Sequence, residues 1–480
     1  MSYYEYDSSS PLSIEEYSKK LIGKSFRDVI REDEKNNGFT LHEKNEVKSL
    51  SELKKEAKLN KGNLGQLIEE HFFHYHCNSD ARPDFPDAGV ELKVTPYKIV
   101  SGGRLTAKER LIITMIDYFA VVNETFENSH LWNKAKLILL IYYLYEADVP
   151  YRLDYKIHFS KLFTPPEEDI IIIKHDYNII VGKIKAGRAE ELSEGDTLYL
   201  GASTKSSDSS VRREQPYSSV PAKPRAFSFK VTYMTYVLNT YIIPGKTTYE
   251  PIIKRGEVET SFEDYVVNKI DNYIGFSVEE LCKEFNISNT KMPKNIEAIL
   301  AYRILGIKGN QAEEFVKAGI VVKTIRISNN NKIKESMSFP TFKFKQLASE
   351  DWEDSIFENY LRDTRFLFVV YKYGEDGVLR LKGCQFWNIP YEDLEVHVKD
   401  VWNRTKNVIL QGIQKRYKSG MEENYLPLPK ASENPVCHVR PHGRNAADTD
   451  ELPNGQRYTK QCFWLNNSYI YQQLNDKIRA

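Results

Sequence analysis

Two ten-residue segments of this chain read almost alike: Asp84–Lys93 is DFPDAGVELK and Glu314–Lys323 is EFVKAGIVVK. Phe, the Ala-Gly pair and the final Lys coincide at a spacing of 230 residues. Asp84 is matched by Glu314 and Glu91 by Val321. Further echoes follow in the same order. Leu53–Glu56 (LKKE) returns at Leu281–Glu284 (LCKE), and Phe126–Ser129 (FENS) at Trp352–Ser355 (WEDS). KLILLIYY from Lys136 is echoed by RFLFVVYK from Arg365, and Phe227 and Tyr233 by Phe463 and Tyr469. Offsets that drift by a few residues while keeping their order are what two copies of one fold with loop insertions produce. The chain is therefore expected to form two similar domains, 1–242 and 266–480, joined by a linker at 243–265. The 480 residues suffice for two separate cores.

Local patterns place the elements. Ser13 with Glu16 fits a capped helix start, followed by a helix over 14–21. Residues 53–59 and 62–73 read as helices, the latter from Leu64, Leu67, Ile68 and Phe72 at helical spacing. Residues 89–97 and 137–145 read as strands, 169–173 as a short β-branched run, and the Ser-, Pro- and Arg-rich stretch 201–224 as a long loop. This is a mixed α/β composition. No apolar run approaches the ~20 residues that span a bilayer, so no membrane association is expected. The opening MSYYEYDSSS lacks a secretory pattern. Five scattered cysteines point to a reducing, intracellular setting. The net charge of zero decides nothing about nucleic acid, because a neutral total can hide a basic groove.

Glu91 and Lys93 are two apart on a predicted strand, so their side chains share a face. Pro83 and Pro86 break regular structure around Asp84, and Gly89 permits a bend that swings Asp84 beside Glu91. Carboxylates that close repel unless a cation separates them. An all-oxygen set of Asp84, Glu91 and the Leu92 carbonyl suits Mg²⁺. Lys93 then adjoins a metal-bound water, and the matching chemistry is in-line displacement at phosphorus. The bland alternative is a surface ion pair. Against it, Val90, Leu92 and Val94 alternate with the charged face, and the second copy has Val321 in place of the acid. A basic run of Lys205, Arg212, Arg213, Lys223, Arg225 and Lys230, with Tyr217 and Phe227 among it, suits a DNA duplex, although a solvated loop reads the same way.

Several segments together resemble one family. KGNLGQLIE (61–69), DFPDAGVELKVTP (84–96), ETFENSHLWNKAK (124–136), AEELSEGDTLYLGASTK (189–205) and QPYSSVPAKPRAFSFKVTYMTYVL (215–238) are similar to the mismatch-repair nicking endonuclease MutH. They are still more similar to its Sau-type restriction relatives, which cleave at GATC. CHVRPH (437–442) and KQCFWLNN (460–467) extend the resemblance through the second half. It implies two tandem PD-(D/E)xK nuclease domains, the second a degenerate copy, in a prokaryotic cytoplasmic protein. It implies Asp84, Glu91 and Lys93 as the catalytic triad, Glu69 as an auxiliary acid and Lys134 as a lysine near the site, with Asp363 its counterpart. It also puts Lys205, Ser228 and Lys230 at family positions that contact the recognition sequence, although Ser228 stands where the repair enzyme has an aromatic residue. His438, Arg440, His442 and Arg444, alternating along a strand end, and Lys460 would form a second DNA-binding surface in an effector domain.

The expected activity is type II restriction of double-stranded DNA, with two recognition sites engaged and both strands cut using Mg²⁺. One active site per chain calls for a transient homodimer on DNA. A cognate methyltransferase would act on the same sequence without needing to bind this chain. The rival readings are a repair-type nicking enzyme and a non-catalytic sequence-specific DNA-binding protein. His71, His74, His76 and Cys77 lack structural-zinc spacing and read as a polar helix end. No G-x-x-x-x-G-K-[ST] loop appears, so ATP-driven chemistry is unsupported.

Overall fold

Strand β4 (Ile138–Leu144, ILLIYYL) is apolar along its whole length and buried on both faces, and the first unit is built round it. The computed structural model describes residues 5–37, 63–75, 82–100, 102–206, 210–243, 249–253, 261–287, 292–352, 355–418 and 421–479. The helix expected over 53–59 and its echo at 53–56 lie outside them. The chain divides into two compact units, Met1–Tyr249 with Val316–Ala318, and Glu250–Phe315 with Gly319–Ala480.

In the first unit β1 (Glu91–Val100) pairs in parallel with β4, Glu91 opposite Ile138 and Lys93 opposite Leu140. β2 (Arg104–Ala107) and β5 (Ile157–Phe163) complete a sheet of order β2-β1-β4-β5. Helices α1 (Pro11–Ser18), α2 (Phe26–Asn37) and α3 (Asn63–His71) contribute Ile14, Phe26, Ile30, Leu64 and Ile68 to the core beside it. A second sheet, β3-β9-β6, joins Leu111–Met115, Arg225–Phe229 and Leu200–Thr204. Helix α4 (His130–Ala135) leads into β4, α5 (Glu167–Lys185) follows β5, and α6 (Val231–Val237) follows β9.

Three expectations are corrected. Helix α1 is capped by Ser10, not Ser13, because Pro11 presets the first turn and Ser10 accepts the Ser13 N–H. Residues 169–173 lie inside α5. Its first turn holds Glu167, Glu168 and Asp169, which suit a helix N-terminus, and Ile172, Ile173, Ile180, Val181 and Ile184 recur at helical spacing on its buried face. The stretch 201–224 is not a continuous loop. It contains most of β6 and a hairpin, β7 (Arg213–Gln215) and β8 (Ser218–Ala222). Tyr217, at φ +64°, makes the turn.

The second unit repeats this plan. β10 (Ile320–Ile327) lies parallel to β12 (Arg365–Tyr373), with Val321 opposite Phe366, and β13 (Leu379–Trp387) is antiparallel to β12. A second sheet of order β11-β19-β16 joins Met337–Ser338, Gln461–Leu465 and Cys437–Pro441. Between β16 and β19 runs a hairpin, β17 (Thr449–Glu451) with β18 (Arg457–Thr459), as β7–β8 does between β6 and β9. The caps repeat as well. Ser129 accepts the Trp132 N–H at the start of α4, and Ser355 accepts the Glu358 N–H at the start of Ile356–Asp363. Gly89 and Gly319, 230 residues apart, both adopt left-handed φ, +66° and +67°. Of the echo at 352–355, residues 353–354 lie outside the described residues.

Candidate functional site

The Asp84 bend is closed by paired backbone hydrogen bonds between Phe85 and Val90, at 2.9 and 3.2 Å. That turn returns the Asp84 carboxylate to the start of β1, where it accepts the Leu92 N–H at 2.7 Å. Glu91 N–H is given to Leu137 on the opposite edge. Since the N–H and C=O of a strand residue share an edge, the Leu92 carbonyl faces the Asp84 side. Glu91 is 1% exposed. Lys93 reaches its Oε1 at 2.7 Å, and Lys134, from α4, reaches its Oε2 at 3.2 Å. Burial pushes the Asp84 carboxyl up to about 6, and the nearby charges of Glu91 and Glu69 push it the same way. Glu69 is half-buried on α3. All five sequence-predicted catalytic residues are thus gathered at one end of the β1–β4 pair.

An excess of carboxylate held in low dielectric, relieved by two ammonium groups, has the chemistry of a divalent-cation site. Two acids and a carbonyl, with the remaining positions left to water, form a suitable hard-oxygen set for Mg²⁺. Among the described residues, no group of three His, Cys, Asp or Glu is placed to share an ion. His71 instead meets Asp33 at 2.8 Å, while His76 and Cys77 lie outside the described residues.

In the second unit the corresponding place has Val321 where β1 has Glu91. Glu314 lies on the helix Glu313–Ala318 rather than in a bend, and its carboxylate accepts the N–H groups of Ile252 and Ile253 at 2.9–3.1 Å. Lys323 donates to the Ser338 carbonyl at 3.2 Å, and burial lowers its pKa. The pairing of Lys134 with Asp363 is not reproduced: the structural offsets put Arg362 or Tyr360 against Lys134. The strand register relates the halves by 228 residues and the Ser129/Ser355 caps by 226, because the second helix is two residues longer.

The DNA-contact candidates divide by exposure. Lys205, just past β6, Arg212, just before β7, and Arg213, on β7, are exposed. Arg225 is half-buried and donates to the Ala202 carbonyl at 2.6 Å. Ser228 is buried with its hydroxyl against that of Ser203, Lys230 is buried, and Phe227 is a core ring against Tyr177. In the second unit Arg440, His442 and Arg444 are exposed. Arg440 lies over the Trp464 ring at 4.7 Å and His442 meets that ring edge-on. His438 is buried, bonded to Asn466 at 2.6 Å, so it supports this surface from beneath. β16 ends at Pro441, which leaves His442 and Arg444 beyond the strand. Lys460 and Arg444 both pair with Asp448, whose carboxyl they hold down to about 2.

Sequence reasoning missed Asp176, Trp464, Asn434 and Asn466. The 236-residue offset that relates Phe227 to Phe463 also relates Ser228 to Trp464 and Lys230 to Asn466, and was the available signal for those two.

The family described as DNA mismatch repair enzyme MutH matches residues 73–176, the span that holds Asp84, Glu91, Lys93 and Lys134. Two DNA mismatch repair proteins MutH align with part of the chain. The one from Shewanella woodyi is 28% identical over 38% of this chain and 78% of its own length, and the one from Vibrio vulnificus 27% identical over 40% and 86%. The type II restriction enzyme Sau3AI of Staphylococcus aureus is 38% identical over 469 residues, covering 87% of this chain and 93% of that protein. A nuclease-like site in the first unit, a repeated second unit and a likeness that runs through both place this chain in the family of type II restriction endonucleases that includes Sau3AI, the site-specific deoxyribonucleases.

Proposed function

We propose that the chain cleaves both strands of duplex DNA at GATC in a Mg²⁺-dependent hydrolysis carried by Asp84, Glu91 and Lys93. Lys134 and Glu69 are its supporting groups. The observation that carries this reading is the convergence of Lys93 and Lys134 on the buried Glu91 carboxylate beside a protonation-prone Asp84. Restriction endonucleases generally use a divalent metal. When bound by Asp84, Glu91 and the Leu92 carbonyl, it would supply charge neutralisation at the phosphate and an activated water. Lys93 holds that end of Glu91 in place and stands ready to orient the attacking oxygen. Lys205, Arg212, Arg213 and Arg225 are assigned to the DNA backbone and groove. Ser228 and Lys230 lie beneath that surface.

The second unit, Glu250–Phe315 with Gly319–Ala480 rather than 266–480 after a linker at 243–265, is read as an effector that binds another copy of the site through Arg440, His442, Arg444 and Lys460. Its lack of a paired acid favours binding over cutting. Two chains would meet transiently on DNA to cut both strands, in the cytoplasm of a prokaryote whose methyltransferase marks the same sequence. The test is digestion of unmethylated GATC-bearing supercoiled plasmid with added Mg²⁺. Linear fragments ending at GATC support the reading. Nicked circles alone favour a repair-type nicking enzyme, and undigested plasmid favours a non-catalytic binder.

A further inference from the structure

The backbone entering β6 and the backbone entering β16 are held by the same clamp, made with different chemistry. In the first unit Lys230 Nζ donates to the Thr197 carbonyl, and Lys230 N–H donates to the Tyr199 carbonyl at 2.9 Å. Asp176, fully buried on α5, accepts the N–H groups of Leu198, Tyr199 and Leu200 at 2.9, 2.7 and 2.9 Å. In the second unit Asn466 Nδ2 donates to the Asn434 carbonyl at 2.7 Å, and Asn466 N–H to the Val436 carbonyl at 2.9 Å. Asn434 Oδ1 accepts the N–H groups of Val436 and Cys437 at 3.0 and 3.1 Å.

Strand register makes these equivalents. Leu200 pairs with Phe229, and Cys437 with Leu465. Lys230 and Asn466 therefore follow the same strand position, while Thr197 and Asn434 each lie three residues before the other member of the pair. A lysine and an asparagine make one bond at one place. The shared requirement is the grip on that carbonyl, not the charge.

A buried ammonium needs a nearby acid, and Asp176 provides one. A buried carboxylate in turn needs donors, and the three N–H groups provide them. The clamped turn leads directly into β6, which carries Ser203 against Ser228 and ends beside Lys205. We propose that Lys230 and Asp176 are positioning residues for DNA recognition: Lys230 acts inside the protein, fixing the 197–200 turn and thereby β6, and does not contact a phosphate. This rests on the reading of β6 and β9 as DNA-facing strands.

The experiment measures binding of the full chain to a GATC duplex and to a one-base variant, by fluorescence anisotropy in Ca²⁺ across a salt series. Lys205→Ala should lower the salt slope by about one, as loss of a phosphate contact does. Lys230→Met should keep the wild-type slope but lose about tenfold or more of the preference for GATC. Lys230→Gln, which keeps a donor for the Thr197 carbonyl without charge and leaves both Asp176 oxygens to the three N–H groups, should recover most of that preference. A Lys230→Met slope lowered by about one, with preference unchanged, would make Lys230 a phosphate contact and overturn the proposal. Preference and slope both unchanged while only the melting temperature falls would reduce the clamp to a structural feature, which also overturns it. An unchanged slope in Lys205→Ala would instead remove the DNA-facing reading beneath it, and is told apart because Lys230 is intact in that variant.

Discussion

Lys134 Nζ lies 3.2 Å from Glu91 Oε2, on a carboxylate that Lys93 already holds at 2.7 Å. The two lysines arrive from different elements, a helix and a strand, so the second is not a by-product of strand alternation. An ammonium fixed in a poorly hydrated site stabilises negative charge more strongly than one in water, and does so without reorganising. Lys134→Met is expected to slow single-turnover cleavage by about 10²-fold, with Lys134→Arg partly active. Affinity for GATC duplex in Ca²⁺ should change little. A Lys134→Met enzyme that cuts at the wild-type rate would remove Lys134 from the site.

Glu91 itself is expected to be indispensable. It is the acid that the second unit lacks, and it has almost no exposure to water that could replace it. Glu91→Ala leaves Lys93 and Lys134 without their shared carboxylate and deprives the site of a charged ligand. Cleavage should fall by about three orders of magnitude or more, the equivalent of some 4 kcal/mol in the barrier. Sequence-specific binding in Ca²⁺ should persist. Quenched-flow cleavage beside equilibrium binding separates the two, and wild-type cutting by Glu91→Ala would refute the site.

What was legible in the sequence follows from how local each signal is. The face shared by Glu91 and Lys93 is a property of strand geometry alone. The Asp84 bend needs only Gly89, which indeed sits at φ +66°. The duplication was legible because equivalent segments keep their order, and it reappears as the β1-β4-β5 order repeated in β10-β12-β13 and the β3-β9-β6 order repeated in β11-β19-β16. The failures lie where distant partners decide. The β-branched residues of 169–173 are helical because their spacing buries one face against the core. The Ser- and Pro-rich 201–224 supplies strands because β6 finds β9. Lys230 and Ser228, which the family resemblance put at DNA-contact positions, are buried, and exposure cannot be read from a single residue.

Asp84 is expected to couple protons to the cation proposed for the site. Its carboxyl, ordinarily near 3.8, is raised to about 6 in the folded protein. Between those values the folded chain keeps a proton that the unfolded chain has released. The stabilising contribution is therefore complete below pH ~4 and is lost as pH rises through 6, a loss of about 2–3 kcal/mol by pH 8. With metal removed by chelation, Asp84→Asn should melt a few degrees above the wild type at pH 8, and the gap should close toward pH 4. Added Mg²⁺ should raise the wild-type melting temperature at pH 8 and leave Asp84→Asn nearly unmoved. Cleavage at limiting Mg²⁺ should rise with pH through about 6. Calorimetry showing the same wild-type-to-variant gap at both pH values would show that Asp84 is not the group responsible.

The second unit should not be revived by restoring its missing acid. Val321→Glu would place a carboxylate opposite Phe366, where Glu91 stands opposite Ile138 in the first unit. Its would-be partner Glu314 is already committed to the N–H groups of Ile252 and Ile253. Freeing it would leave two backbone donors unsatisfied at a cost of about 2–3 kcal/mol. Val321→Glu in a Glu91→Ala background is therefore expected to remain inactive on plasmid DNA at any Mg²⁺ concentration. Glu314→Ala alone should lower the melting temperature of the second unit while leaving the chemistry at Glu91 intact. Cleavage by the Val321→Glu, Glu91→Ala double variant would mean that Glu314 leaves its backbone partners readily and that the loss of Glu at position 321 alone silenced this copy.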